Sequence, residues 1–276
     1  MLKSILLVLD DTPGAVAARD GAIAFARGCG ATVTAAAFLD TGQLADAHEA
    51  VPTGARAFKE RRDARRLADA RAAAGAQLAA FHAVAPDWPG EIHDAGALPG
   101  LKRLAVAHDV IAIGRDSTLG VEGTEEGLAP AIERIAHDTP RPLVVVPPPA
   151  EGGADGPFIV AYDGSVPCQR SLQAFVLLGL ATLRPVRVVS VADTEAEART
   201  LAGGAASYLA LHGITAEIDG LAGRRPADAV LAHAERLKAG LLMIGAFETP
   251  RIRTLLFGSG TLRILRGSRC PVFVHH

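Results

Sequence analysis

The chain has 276 residues, of which 21% are charged, and a formal net charge of −2, so its summed field gives no reason to expect nucleic acid or an anionic membrane as partner. Its first apolar run, 5–9, stops at Asp10 and Asp11, too short for a signal-peptide core or a bilayer span, and a cytoplasmic location is the expectation. Cys29, Cys168 and Cys270 are odd in number and far apart, which fits neither a disulfide framework nor a zinc motif and leaves them as small buried apolar residues.

Apolar runs of strand length alternate with stretches of helical period, the pattern of βαβ units around a parallel sheet. Aromatics make up only 4% while alanine and glycine abound, so helices are expected to pack close on the sheet rather than over large rings. Strands are expected at 4–9, 31–38, 91–93, 109–114 and 143–147, with helices between them. Within this half, residues 45–70 combine a Pro-Thr-Gly turn signal with a strongly charged, helix-favouring run. They read as a solvated helix and loop, with an interaction arm as the alternative. From Pro147 the prolines and glycines of PPPAEGGADGP forbid both helix continuation and ladder pairing, which divides the chain into domains 1–147 and 158–276 around a linker at 148–157. The pattern then repeats, with strands expected at 158–162, 187–191, 215–218, 241–245 and 272–275.

The two halves align by position as well as by pattern. DVIAIGRDS, ending at Ser117, matches GLLMIGAFE, ending at Glu248; this sets Gly114 on Gly245, and the same offset takes Gly127 to Gly258. Asp10 matches Asp163 at a longer offset, so the first copy holds extra chain, placed in 45–70.

One segment points to chemistry. IGAFETPRIRTLLFGSGTLRIL, from Ile244 to Leu265, runs from a strand end through a loop into an amphipathic helix. A helix start presents unpaired N–H groups and a partial positive charge, so Gly258, Ser259, Gly260 and Thr261 form a candidate anion cradle. Glycine lets backbone approach a ligand and the two hydroxyls can donate to phosphate oxygens. Ser259 as a plain N-cap is the structural alternative; the position at the carboxyl end of a parallel sheet favours a ligand.

Gly245-x2-Glu248-x9-Gly258-Ser259, followed by Arg-Cys-Pro-Val-Phe-Val, resembles the universal stress protein (UspA) family, whose loop reads Gly-x2-Gly-x9-Gly-Ser/Thr. FIVAYDGS, ending at Ser165, is similar to that family's opening strand, and RRPADAVLAHAERLKAGLLMIG to its third helix and fourth strand. The likeness covers the second half in order; in the first it runs more weakly through ILLVLDDT and the final Arg-Pro-Leu-Val-Val-Val. It implies a tandem stress-response protein of two Rossmann-like (adenine nucleotide alpha hydrolase-like) α/β domains. Each would be a five-stranded parallel sheet, order 3-2-1-4-5, with helices on both faces. Carried over by motif, the base of an adenine nucleotide would meet Asp163 and Val191, and its phosphates Gly258, Ser259, Gly260 and Thr261, with Gly245 leaving room at the strand end. ATP, accompanied by Mg, is the implied ligand of the second domain alone, with slow hydrolysis as the upper limit of activity.

Two departures qualify that implication. Glu248 stands where the family's loop has its second glycine, and like charges ~4 Å apart at an effective dielectric of ~20 repel by about 4 kcal/mol. Arg251 and Arg253 lie in the same loop, and two outcomes are open: Glu248 pairs with one of them, leaving the cradle open, or turns inward and occupies it. In the first copy Ser117, Leu128 and Pro130 replace the second glycine, the serine and the threonine, removing both hydroxyls and one N–H. This loop is expected not to hold a triphosphate, and Asp10 and Asp11 are then turn and cap residues. The resemblance also implies pairing through the last strands, here 143–147 with 272–275, giving a dimer-like unit within one chain, with a further homodimer left open.

No Gly-x4-Gly-Lys-Ser/Thr, His-Glu-x2-His or Gly-x-Ser-x-Gly sequence occurs and the 9 histidines are scattered, so no catalytic set and no metal site is expected. The rival to nucleotide binding is a protein-interaction role with both loops vestigial; a weaker third is an enzyme acting on another phosphorylated small molecule.

Overall fold

The computed structural model describes residues 1–45, 49–52, 54–94, 96–119, 127–148, 156–246 and 259–275. The first half runs β1 (Ser4–Leu9), α1 (Pro13–Cys29), β2 (Thr32–Leu39), α2 (Thr41–Leu44), α3 (Arg56–Val84), β3 (Gly90–Asp94), α4 (Ala97–Ala105), β4 (Val110–Gly114), α5 (Pro130–Asp138) and β5 (Leu143–Val146). The second runs β6 (Phe158–Ala161), α6 (Val166–Leu177), a 3-10 turn (Leu180–Thr182), β7 (Val186–Ala192), α7 (Glu195–Leu211), β8 (Ala216–Ala222), α8 (Pro226–Arg236), β9 (Leu241–Gly245), α9 (Ser259–Gly267) and β10 (Val272–His275).

The strands form one sheet in the order β3-β2-β1-β4-β5-β10-β9-β6-β7-β8. Pairings within each half are parallel. In each the strands stand third, second, first, fourth, fifth, as the resemblance implies. The halves meet antiparallel, Leu143 opposite Val274, Val144 opposite Phe273 and Val145 opposite Val272. Two sheets thus become one sheet of ten strands, and neither fifth strand is left as an open edge.

Central strands are buried on both faces. Ile5, Leu7 and Leu9 pack into the apolar layer on one side of the sheet, Leu6 and Val8 into the layer on the other. That is why β1, β4 and β9 read as continuous apolar runs. Helix starts follow local chemistry. Thr12 caps α1 by accepting from the Ala15 N–H, with Pro13 beginning the helix, and Ser165 does the same for α6 through Cys168. Thr194 and Glu197 form a reciprocal capping box on α7.

Much of the additional chain in the first half is helix: α3 has 29 residues where α7, its counterpart, has 17. Its buried residues are Asp63 and Phe81. Asp63 is held by Lys59 at 2.5 Å and Arg62 at 2.8 Å, and Arg62 also pairs with Glu49. The charged run is therefore a solvated helix whose one buried carboxylate is ion-paired. No helix among the described residues is long and apolar enough to cross a membrane.

Candidate functional site

In a doubly wound sheet, ligands bind beyond the carboxyl ends of the strands. Each half offers such a place, beside Asp10 after β1 and beside Asp163 after β6, and the two are built differently.

In the first half the place is filled from within. One oxygen of Asp10 accepts from Ser117 Oγ at 2.9 Å, Thr118 N–H at 2.8 Å, Thr118 Oγ1 at 3.3 Å and Leu119 N–H at 3.0 Å. The loop after β4 thus folds back over the end of β1. Leu119 adopts a left-handed backbone, φ 52, and buries its side chain. Such a conformation costs about 1 kcal/mol or more outside glycine, and the Asp10 bonds hold it. Burial pushes the Asp10 carboxyl above its usual range, against the pull of the donors it collects. The space left is about 150 Å³, walled by Leu119, Phe38, Leu39 and α3, smaller than the roughly 300 Å³ at which small-molecule pockets begin. Asp10 is therefore a clasp rather than a turn or cap residue; the cap is Thr12, and Asp11 lies exposed. Asp116 adds a second internal carboxylate, accepting from Thr12 Oγ1 at 2.9 Å and Gly14 N–H at 3.0 Å at the start of α1. Leu128 is buried and Pro130 begins α5.

In the second half Asp163 is exposed, and its Oδ1 accepts from the Ser165 N–H at 3.0 Å and Oγ at 2.7 Å. β7 pairs with β6 as far as Val189 and continues through Ser190, Val191 and Ala192 beside β8. The backbone edge at Val191 therefore extends past its inner neighbour, where the resemblance sets the base. α9 begins at Ser259 with no acidic residue in its first turn, so among the described residues no first-turn carboxylate competes with an anion for the positive helix end. Ser259 is exposed and Gly260 half-buried; Thr261 is buried with its hydroxyl 3.5 Å from the Gly245 carbonyl oxygen. The structure thus brings Gly245 and Thr261 together. Gly258, Glu248, Arg251 and Arg253 lie outside the described residues.

Gly245 has a packing reason to be glycine. A Cβ there would sit 2.5 Å from the Cys168 nitrogen in the first turn of α6, and one at Gly114 would sit 2.3 Å from the Ala15 nitrogen in α1. Both halves need the close approach, ligand or not, so the room at this strand end is taken by the chain's own helix.

Two features were invisible to motif reading. Cys168 lies buried beneath Asp163, its Sγ 3.2 Å from the Ala161 carbonyl oxygen; burial first, then the Asp163 charge, pushes its thiol up to about 12. On the other face of the sheet, Arg187 grips Asp219 with two bonds, of 2.7 and 2.8 Å, and also pairs with Glu217. His233, 5% exposed, lies 3.0 Å from Asp219 through Nε2 and 2.8 Å from Arg236 through Nδ1. Arginine can only donate, so Nδ1 accepts and Nε2 bears the proton given to Asp219. The Arg187 bonds chiefly, helped by His233 against burial, pull the Asp219 carboxyl down to about 2. These partners come from β7, β8 and α8, and no local spacing announces them. No group of three His, Cys, Asp or Glu side chains among the described residues is arranged to hold a metal.

Residues 156–276 match the universal stress protein family and form a domain of that family. A universal stress protein from Synechocystis sp. is 31% identical over 166 residues, covering 59% of this chain and 56% of the relative, so the chain spans little more than half of that protein's length. A universal stress protein from Archaeoglobus fulgidus DSM 4304 superposes with a TM-score of 0.65 at 17% identity, covering 99% of this chain and 97% of its own. A protein of unknown function from Pseudomonas aeruginosa PAO1 does so with a TM-score of 0.58 at 16% identity, covering 99% and 92%. At such identities the likeness is one of fold, and it extends over both halves.

Proposed function

We propose, starting from a universal stress protein domain at 156–276, that the chain is a tandem stress protein with a single adenine-nucleotide site, in the second half. The observation that carries this reading is the contrast between the twin aspartates. Asp10 is consumed by its own loop, whereas Asp163 faces solvent beside the projecting end of β7. The start of α9 fits the phosphates: backbone N–H groups, an exposed Ser259 hydroxyl and no first-turn carboxylate. ATP with Mg is the proposed ligand, and its slow exchange rather than rapid turnover would be the signal.

The test is an ATP titration by calorimetry of the wild type, Asp163→Ala and Asp10→Ala. Binding by wild type and Asp10→Ala with loss in Asp163→Ala is expected; loss in neither variant, or no wild-type binding, overturns the reading. A second reading, recruitment of a protein through the insertion, draws on Phe58, a large ring 70% exposed on α3. A partner retained by wild type and lost from Phe58→Ser would favour it.

A further inference from the structure

We propose that the junction of the two halves holds a second ligand site, for a single-chain amphiphile with an anionic head, in the class of medium-chain carboxylates. A cavity of about 600 Å³ lies on one face of the sheet, between α1 and the residues that lead into β6, β9 and β10. Its lining includes neither Asp10 nor Asp163, Val191 or the start of α9, and it does not rest on the nucleotide reading. Its volume falls within the roughly 300–1,000 Å³ of small-molecule sites.

The hollow exists because the two halves differ at three positions. The strand registers make Ile5 the counterpart of Phe158 and Val144 the counterpart of Phe273. Ala22 on α1 is likewise the counterpart of Phe175 on α6, as Ala15 is of Cys168. In the second half the three rings interlock, Phe158 and Phe175 with centroids 6.2 Å apart and Phe175 and Phe273 5.6 Å apart. In the first half Ile5, Ala22 and Val144 leave that volume open and line the cavity. Packing at interior density leaves few such voids. This one is a by-product of neither the fold nor the duplication, since the twin position is filled.

The lining chemistry selects the occupant. Its walls are almost wholly aliphatic or aromatic, which suits a hydrocarbon tail. Among the described residues its charged members are Arg184 and Arg269, both exposed, and none is a carboxylate. Both arginines have partners of their own, Arg269 pairing with Glu235 at 2.5 Å, yet a guanidinium has five N–H donors and can serve a second acceptor. An apolar wall with cations at its rim fits a tail with an anionic head.

The test is calorimetric titration of the whole chain with straight-chain carboxylates of about six to about fourteen carbons. Affinity is expected to rise about fourfold per methylene until the hollow is full, then level off. Ala22→Phe restores the ring of the other half and should weaken decanoate at least tenfold. Gly21→Leu is a second filling variant, at a lining glycine where a Cβ meets nothing within 4 Å. Its circular dichroism and ATP titration should match the wild type while decanoate binding falls. Arg184→Ala/Arg269→Ala should weaken decanoate tenfold and leave decanol unchanged. Absence of saturable binding at every length, or decanoate binding unaltered by both filling variants, overturns the site. Equal wild-type affinity for decanol and decanoate overturns the anionic head.

Discussion

Removing the carboxylate of each twin aspartate should produce opposite phenotypes, and the structure fixes the size of the difference. Asp10→Ala takes an acceptor from Ser117 Oγ, Thr118 N–H and Leu119 N–H, with Ser117 fully buried. Each donor left unpaired in a closed interior costs roughly 1–3 kcal/mol. Water entering the small cavity beside Leu119 relieves part of this, and loss of the buried charge relieves more. A net destabilisation of about 2–3 kcal/mol remains, with the left-handed Leu119 no longer held. Asp163→Ala frees two groups of Ser165 that water can reach, so its cost should be about 0.5 kcal/mol. Urea unfolding with unchanged slope and shifted midpoint measures both. In the same preparations Asp163→Ala should lose ATP affinity at least tenfold, and Asp10→Ala should keep it. Equal destabilisation by the two changes, or loss of ATP binding in a folded Asp10→Ala protein, would refute the assignment of one aspartate to structure and the other to ligand.

Three further outcomes are expected. Glu248→Gly should tighten ATP binding at least tenfold, since it removes a negative charge from the loop that the proposed reading gives to the phosphates; equal affinities would remove Glu248 from the account. Asp219, held at about 2 against an ordinary 3.8, contributes about 2 kcal/mol of stability at neutral pH. Because the folded value is the lower one, that contribution is present above about pH 4 and disappears as pH falls toward 2. Asp219→Asn should therefore be less stable at pH 7 and should flatten the pH dependence between those limits, as thermal melts at stepped pH would reveal; an unchanged acid limb would count against the network. The thiol of Cys168, pushed up to about 12, is about one part in ten thousand thiolate at pH 8. A disulfide reagent should modify half-buried Cys29 in the native protein and reach Cys168 and Cys270, both buried, only after unfolding. Rapid native labelling of Cys168 would contradict its burial.

The strands were legible because parallel strands buried on both faces are unbroken apolar runs. Ser4–Leu9, Leu241–Gly245 and Val272–His275 stand where apolar pattern placed them. β3 and β8 are outer strands with mixed exposure; their polar residues shorten the apparent run, so 215–218 extends in fact to Ala222. Chain order also revealed that the two halves share one order of strands, and it set Leu128 and Pro130 where the second half has Ser259 and Thr261. What could not be read is what the first loop does instead. Its hold on Asp10 joins residues separated by over a hundred positions, and only the folded sheet brings them together. The Asp219 network and the hollow beside Ala22 were hidden for the same reason. Each depends on register between strands or on which neighbour faces a small side chain, and neither has a local spacing.

The asymmetry of the halves follows from how they are joined. β5 and β10 complete each other's hydrogen bonding, so each half needs the other half's sheet to avoid an exposed edge, whatever it binds. Substitutions in the first half are tolerable as long as β4, β5 and the packing of Gly114 on α1 persist, and those features do not involve a ligand. Its loop could therefore lose hydroxyls and acquire a clasp while its fold stayed intact. The seam adds a further tie: Arg115, just after β4, donates to the Ser268 carbonyl oxygen at 2.7 Å, past the end of α9. A cation there complements the helix's negative end and braces from the first half the helix whose opposite end is the candidate phosphate cradle of the second. On this geometry the first half braces the second through Arg115, and a second half without that partner would present its α9 less rigidly than the whole chain does.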